Sequence, residues 1–206
     1  MTRTTHPITR QSYRQAASLL ARAFVNDPAS VAVYRNFTPD RRERALTVDF
    51  SAEVLECVRR GYPLQMEEDG KLIAAAVIYP PGGYPLPVWI QWMFIIRSIL
   101  GNGFYDIRSW VKWQNEVDKF HPNEPHFYLE YLAVEPEQQG KEAGSAFMRE
   151  FTTKLDEEQV GCYLENANAR NNPFYQRFGF QIMCEKEIIG VPTWMMWRPP
   201  INPGIW

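Results

Sequence analysis

The run Leu72-Ile-Ala-Ala-Ala-Val-Ile-Tyr79 constrains this chain more than any other segment. Ile73 to Ile78 carries no polar side chain, so alternate residues cannot be divided between a core and water. A strand of this kind is covered on both faces. Two amphipathic helices stand ready upstream to supply a cover. Ser12–Phe24 places Tyr13, Ala16, Ala17, Leu20 and Phe24 at helical spacing. It is predicted to end at Asn26-Asp27-Pro28, because the residue before a proline is pushed out of helical geometry. Arg41–Arg60, with Asp40 as its cap, repeats Leu46, Phe50, Val54 and Val58 every four residues and stops at Gly61. Leu64–Met66 and Leu72–Tyr79 read as two strands about a turn at Glu68-Asp69-Gly70, and Pro80-Pro81-Gly82-Gly83 breaks the chain.

From His126 onward the pattern alternates. His126–Val134 is a predicted strand, Gly140–Glu158 a helix, Gly161–Asn166 a strand and Pro173–Phe178 a short helix closed by Gly179. Phe180–Ile189 and Thr193–Trp197 form a final hairpin. This order gives a mixed α/β fold, with helices layered on a central sheet. A length of 206 residues suits one domain, 1–206, or one domain carrying an insertion. The candidate insertion is 84–125, which holds Trp89, Trp92, Trp110 and Trp113. Two helices are predicted there, Pro87–Leu100 and Tyr105–Phe120, around Gly101-Asn102-Gly103. Their rings fit either ordinary core packing or the lining of a pocket.

Several function classes are disfavoured. Lys plus Arg is 22 and Asp plus Glu is 24, a net charge of −2 that argues against a general nucleic-acid binder. Cys57, Cys162 and Cys184 form no CxxC pair, and an odd count fits reduced thiols in a cytosol. No histidine stands at ligand spacing from a cysteine, so no metal is expected. Met1–His6 lacks the apolar core of a secretory signal, and Val88–Leu100 is too short and too interrupted to span a bilayer. The expectation is a soluble cytoplasmic protein with no membrane or nucleic-acid partner.

The informative stretch runs from Glu130 to Ser145: Glu-Tyr-Leu-Ala-Val, then Glu-Pro-Glu-Gln, then Gln-Gly-Lys-Glu-Ala-Gly-Ser. It reads as a strand, a short turn and a Gly-containing helix start. Such a turn aims backbone N–H groups outward from the positive end of the helix, which suits a phosphate or pyrophosphate. The same residues also fit a capped surface helix. Downstream, Asn171-Asn-Pro-Phe-Tyr175-Gln-Arg-Phe-Gly179-Phe180 follows directly on the strand containing Cys162–Asn166. Together the two stretches resemble the GCN5-related N-acetyltransferase (GNAT) superfamily. That family carries Gln/Arg-x-x-Gly-x-Gly/Ala after its fourth strand and Asn-x-x-x-Tyr-x-x-x-Gly-Phe after its fifth. The resemblance covers Phe127 to Phe180, and Ala23-Phe24…Asp27-Pro28 and Val77–Pro81 look like a bacterial branch of it. The chain departs from the pattern at Glu142, where the first signature glycine would stand.

The resemblance implies a mostly antiparallel central sheet flanked by helices and acetyl-CoA as co-substrate, seated where the strands ending at Val134 and beginning at Cys162 splay apart. Its pantetheine arm would pair with the backbone of Leu132, Ala133 and Val134. Its pyrophosphate would be held at Gln139, Gly140, Lys141, Glu142, Ala143, Gly144 and Ser145, with Asn171 and Tyr175 against the arm. The implied chemistry is direct attack of an amine on the thioester. An alkyl ammonium, with a pKa of about 10.4, must first lose a proton. Glu130 is the candidate base, its alternative being a surface or salt-bridged carboxylate. Alternation puts Tyr128, Glu130 and Leu132 on one face, and the resemblance implies that Tyr128 and Glu130 face the acceptor. Tyr175 is the candidate acid, its alternative a packed tyrosine. Glu165, His126 and His121 are assigned no role, and Cys162 is not needed as a nucleophile because direct attack makes no acyl-enzyme. The expected function is N-acetylation of a small-molecule amine, in a family whose members often form homodimers. The alternative is a non-catalytic GNAT-like binding module in which Glu142 impairs the cofactor site.

Overall fold

In a computed structural model, which describes residues 2–102 and 107–201, the apolar run becomes the third strand of a seven-stranded sheet. In chain order the strands are β1 (Arg3–Pro7), β2 (Leu64–Glu68), β3 (Lys71–Tyr79), β4 (His126–Val134), β5 (Gly161–Asn166), β6 (Gln181–Ile188) and β7 (Val191–Arg198). The helices are α1 (Tyr13–Phe24), α2 (Pro28–Val33), α3 (Pro39–Arg60), α4 (Val88–Asn102), α5 (Ile107–Val117), α6 (Ala143–Glu158) and α7 (Asn172–Gln176). The sheet order is β1-β2-β3-β4-β5-β7-β6. Every neighbouring pair is antiparallel except β4 and β5, which run parallel.

The apolar run is explained by two cores. Ala75, Val77 and Tyr79 face α1 and α3, where they meet Leu20, Phe50 and Val54. Ile73, Ala74, Ala76 and Ile78 belong to the other core, with Phe147, Phe151 and Leu155 of α6. Each large apolar side chain so buried contributes about 1.5–3 kcal/mol, so a polar residue anywhere in this strand would be felt. α4 packs against α3, and Ile90 and Val117 enter the α1–α3 core. The outward face of α4 exposes Val88, Trp89, Trp92, Ile96 and Leu100. Among the described residues no helix is long and apolar enough to cross a membrane.

Several element boundaries differ from expectation. The polar leader forms β1, an edge strand paired to β2 and fastened by Arg3 Nε to Glu68 Oε1 at 2.9 Å. Pro28 does not simply end structure. Asp27 caps α2, its Oδ1 accepting from the Ala29 amide at 3.0 Å, and Pro28 takes the first helical position, where no N–H is required. Thr38, not Asp40, caps α3. α6 begins at Ala143, not Gly140, because Gly140 (φ 77°) and Glu142 (φ 66°) are both left-handed and interrupt any helix. The predicted turn glycine Gly103 and the predicted helix start Tyr105 lie outside the described residues.

Two irregularities shape the centre of the sheet. The β4–β5 ladder has the pairs His126 with Gly161, Phe127 with Cys162 and Tyr128 with Tyr163, and ends there. Beyond it β4 stays on β3 as far as Val134, while β5 stays on β7 as far as Asn166. The two strands therefore part. In addition, Val77 pairs with Tyr131 but Ile78 pairs with Leu129, which leaves Glu130 as the extra residue of a β-bulge.

Candidate functional site

Where β4 and β5 part, a cleft opens along the backbone of Leu132, Ala133 and Val134. Gln138, Gln139, Gly140, Glu142 and the first turn of α6 close one end, and Asn168, Asn171, Phe174, Tyr175 and Arg177 form the facing wall. The turn is fixed from two sides. Arg22 of α1 grips Glu135 through Nε and Nη2 of its guanidinium, at 2.8 and 2.6 Å, and Gln139 Nε2 donates to the Val134 carbonyl at 3.2 Å. The first backbone donor of α6 with an intrahelical acceptor is Ala146, bonded to the Glu142 carbonyl. Among the described residues the amides of Gly140, Glu142, Ala143, Gly144 and Ser145 donate to no backbone acceptor. With the partial positive charge of about half a unit at a helix start, they form an anion cradle. Glu142 takes the left-handed conformation with an exposed side chain and caps nothing, so its backbone serves the turn while its carboxylate lies in water. The fit to a diphosphate carrier rests on these free amides and on the unpaired backbone edge of β4.

The far wall is set by an asparagine relay. Asn166 Nδ2 at the end of β5 donates to the Asn168 carbonyl at 2.8 Å and to Asn172 Oδ1 at 2.6 Å. Asn168 Oδ1 in turn accepts from the Arg170 amide at 3.2 Å. These bonds turn the chain from β5 into α7 and present Asn171 and Tyr175 to the cleft. Burial first, and the nearby Asp27 second, raise the Tyr175 phenol above its usual value, so it stays protonated throughout the working pH range.

Behind the cleft lies a chamber on the α1–α3 side of the sheet. The two share Phe24, Asp27, Leu132, Asn171 and Tyr175, so Tyr175 stands at their junction. The chamber is walled by Asp49, Phe50 and Glu53 of α3, Trp110, Trp113 and Gln114 of α5, Tyr128, Glu130 and Tyr131 of β4, and Glu165 of β5. The bulge at Glu130 resets the side-chain alternation. Tyr128 and Tyr131 pack on the α1–α3 side, whereas Leu129 and Leu132 pack towards α6. Glu130 Oε2 is buried without a partner. Burial, then the charges of Glu53, Glu165 and Asp118, hold the Glu130 carboxyl well above the usual range. Glu53 is 7% exposed and its Oε2 is likewise unpartnered. Burial and the neighbouring Asp49 push it up to about 8, against a hydrogen bond from Tyr131. Burial raises Asp49 to about 6 against hydrogen bonds from Tyr34, Ser98 and Asn102, and Asp27 also to about 6 against the amides of Ala29 and Ser30. A carboxyl that still binds a proton near neutrality is well matched to exchange protons with an amine.

Residues 108–182 match the family model of the acetyltransferase (GNAT) domain. Over this stretch the chain resembles the GNAT acetyltransferases. An uncharacterized N-acetyltransferase of Schizosaccharomyces pombe is 25% identical to it, over 92% of this chain and 81% of that protein. A Corynebacterium glutamicum structure, described as histone acetyltransferase HPA2 and related acetyltransferase, is similar along the whole of both chains, with a TM-score of 0.73 and 22% identity. The PaiA N-acetyltransferase of Thermoplasma acidophilum, solved with coenzyme A, gives a TM-score of 0.59 at 11% identity over 97% of this chain and 99% of that one. The mixed α/β architecture, with a mostly antiparallel sheet flanked by helices, is that of the GNAT structures.

Leu132, Ala133, Val134, Gln139, Gly140, Glu142, Ala143, Gly144, Ser145, Asn171 and Tyr175 gather around the cleft, while Tyr128 and Glu130 line the chamber. Lys141 is not among the residues lining the cleft; it is exposed, and its carbonyl accepts from Arg3 Nη2 at 3.0 Å. The expectation that Tyr128 and Leu132 share a face is corrected by the bulge. Glu130 is not a surface carboxylate, and among the described residues its buried Oε2 has no partner. Cys162 is fully buried, and burial drives its thiol far up, away from nucleophilic character. The tryptophans divide: Trp110 and Trp113 line the chamber, whereas Trp89 and Trp92 are mostly exposed. Sequence reasoning missed Asp49 and Glu53. Their signal was two acids four residues apart, interleaved with the apolar stripe Leu46, Phe50, Val54. It also missed the setting of His121, whose ring lies 4.6 Å from those of Tyr84 and Tyr128 and 4.5 Å from that of Tyr163. Its Nε2 is 3.4 Å from Glu165 Oε1 but off the line of a hydrogen bond, while Glu165 Oε2 accepts from the Tyr128 hydroxyl at 2.9 Å.

Proposed function

We propose that this chain transfers the acetyl group of acetyl-CoA to the amine of a small molecule by direct attack, with the carrier in the cleft and the amine in the chamber. The observation that carries the reading is the meeting of the two spaces at Tyr175 and Leu132, beside the unpartnered carboxyl of Glu130. In this reading 1–206 works as one unit, and the 84–125 insertion supplies the Trp110 and Trp113 wall of the acceptor chamber.

Acetyl-CoA supplies an acyl group activated as a thioester. The amides of Gly140 and of Glu142 to Ser145 bind its diphosphate, the β4 edge from Leu132 to Val134 orients its arm, and Asn171 bounds the arm on the other side. Glu130 takes the proton from the amine. Its raised affinity for protons narrows the gap to an alkyl ammonium, and each unit of narrowing removes about 1.4 kcal/mol from the transfer. The Tyr175 hydroxyl, always protonated, hydrogen-bonds the negative charge that grows on the departing sulfur.

Calorimetry with acetyl-CoA, followed by a thiol-release screen across polyamines, aminoglycosides, amino acids and arylamines, tests the proposal. Micromolar binding with release of free thiol on at least one amine is expected. Absence of binding, or binding with acetylation only of protein or peptide amines, would overturn it.

A further inference from the structure

The chamber's chemistry is one-sided. Among the described residues it is lined by five carboxyl side chains, Asp27, Asp49, Glu53, Glu130 and Glu165, and by no lysine or arginine. Among the described residues no Lys or Arg forms an ion pair with Asp49, Glu53 or Glu130. Three of these carboxyls keep a buried, unpartnered oxygen, each on a different element: Glu53 on α3, Glu130 on the β4 bulge, and Glu165 on β5, whose Oε1 lies 3.4 Å from His121 Nε2. A buried acceptor without a donor is costly, and such acceptors around an open space describe what the space should receive. Among the described residues no three His, Cys, Asp or Glu side chains gather in a way that could hold a metal ion, so the acids form separate stations. Between the stations the walls are rings, Phe24, Phe50, Trp110 and Trp113, which suit methylene groups and the faces of ammonium ions.

We infer that the acceptor is an aliphatic diamine or polyamine, its reacting amine at Glu130 and its second ammonium held by Glu53 and Asp49. The inference rests on the acetyl-transfer reading and narrows its substrate. An ammonium brings three donors, so a diamine satisfies the orphaned oxygens of both Glu130 and Glu53 where a monoamine satisfies one. An amino acid would bring a carboxylate into a chamber of five acids lined, among the described residues, by no lysine or arginine. An aminoglycoside would place hydroxyls against aromatic walls. Because Glu53 holds its proton near neutrality in the free protein, docking of an ammonium against it should release a proton.

The test uses the full chain with acetyl-CoA and compares 1,4-diaminobutane with n-butylamine and phenethylamine. The expected result is a kcat/KM at least tenfold higher for the diamine, carried mainly by KM, with the diamine-to-butylamine ratio collapsing towards one in Glu53→Gln. Asp49→Asn should weaken the same preference, and acetyl-CoA titration shows that each variant is folded. Calorimetry of 1,4-diaminobutane with the CoA-loaded protein, in buffers of different ionisation enthalpy, should show proton release that Glu53→Gln abolishes. Equal use of n-butylamine or phenethylamine, or a diamine preference that survives both variants, overturns the inference while leaving acetyl transfer intact. If no amine is turned over, the acetyl-transfer reading fails, and diamine binding by calorimetry alone decides the chamber's ligand.

Discussion

Replacing Glu142 by glycine separates what the backbone and the charge each do at the cradle. The residue sits at φ 66° and ψ 0°, with its carboxylate in water. A side-chain-bearing residue pays roughly 1 kcal/mol for left-handed geometry, and the extra freedom of glycine in the unfolded chain returns about half of that. Glu142→Gly should therefore stabilise by ~0.5 kcal/mol, a rise of about 1–2 °C in Tm for a chain of this size. The electrostatic effect is separate. A unit charge about 7 Å away in water is worth about 0.6 kcal/mol, and physiological salt removes more than half of it. Two charges on a diphosphate then sum to ~0.5 kcal/mol, about a twofold gain in affinity once the glutamate is removed. Glu142→Gln keeps the backbone geometry and loses the charge, so it should show the same twofold tightening of the acetyl-CoA Kd with no gain in Tm. Differential scanning fluorimetry and calorimetry at low and high salt read both quantities, and the affinity gain should shrink with salt. A lower Tm for the glycine variant, or unchanged affinity for acetyl-CoA in both variants at low salt, would refute the placement of a diphosphate at this turn.

Three further outcomes are expected. Tyr175→Phe should lower kcat by about ten- to a hundredfold with little change in acetyl-CoA affinity; an unchanged rate in stopped-flow thiol release removes Tyr175 from the chemistry. Glu130→Gln should lose most at low pH: the raised Glu130 carboxyl places the acid limb of the wild-type profile above the ordinary carboxylate range, and the wild-type advantage should shrink as pH approaches the pKa of the amine. A loss of equal size at every pH contradicts a base role. For Glu53, the folded pKa of about 8 lies above that of the unfolded chain, so the folded state binds the extra proton. Its contribution to stability is full below about pH 4.5 and is lost as pH rises towards 8. Glu53→Gln should thus raise Tm relative to wild type at pH 8 by several degrees more than at pH 5.5, a difference of ~1–3 kcal/mol; equal shifts at the two pH values would show that Glu53 titrates normally.

The parts of the fold that were legible in the sequence are those with a period or a spacing. The apolar run of β3, the stripe of α3 and the order of elements from β4 to β7 follow from patterns that only one arrangement can bury. The cradle was legible because its residues are contiguous. What stayed hidden leaves no such mark. β1 is an edge strand whose Arg-Thr-Thr-His-Pro needs backbone pairing on one side only, so nothing apolar announces it. The bulge at Glu130 adds one residue to a ladder without altering composition, and it sends Leu132 to the face opposite Tyr128. Asp49 and Glu53, interleaved with the apolar stripe of α3, are walls of the chamber. Their meaning depends on Trp110 and Trp113, more than fifty residues away.

The parting of β4 from β5 also makes the sheet mechanically two pieces. One half, β1 to β4, and the other, β5 to β7, are sewn together by the short ladder from His126 to Tyr128. Thermal flexing concentrates at such a seam, and an extended ligand arm laid along Leu132 to Val134 would act as a missing thread. Loading the cleft should therefore slow amide hydrogen exchange at both lips of the seam together, so that the chain is stiffest when it is charged for reaction.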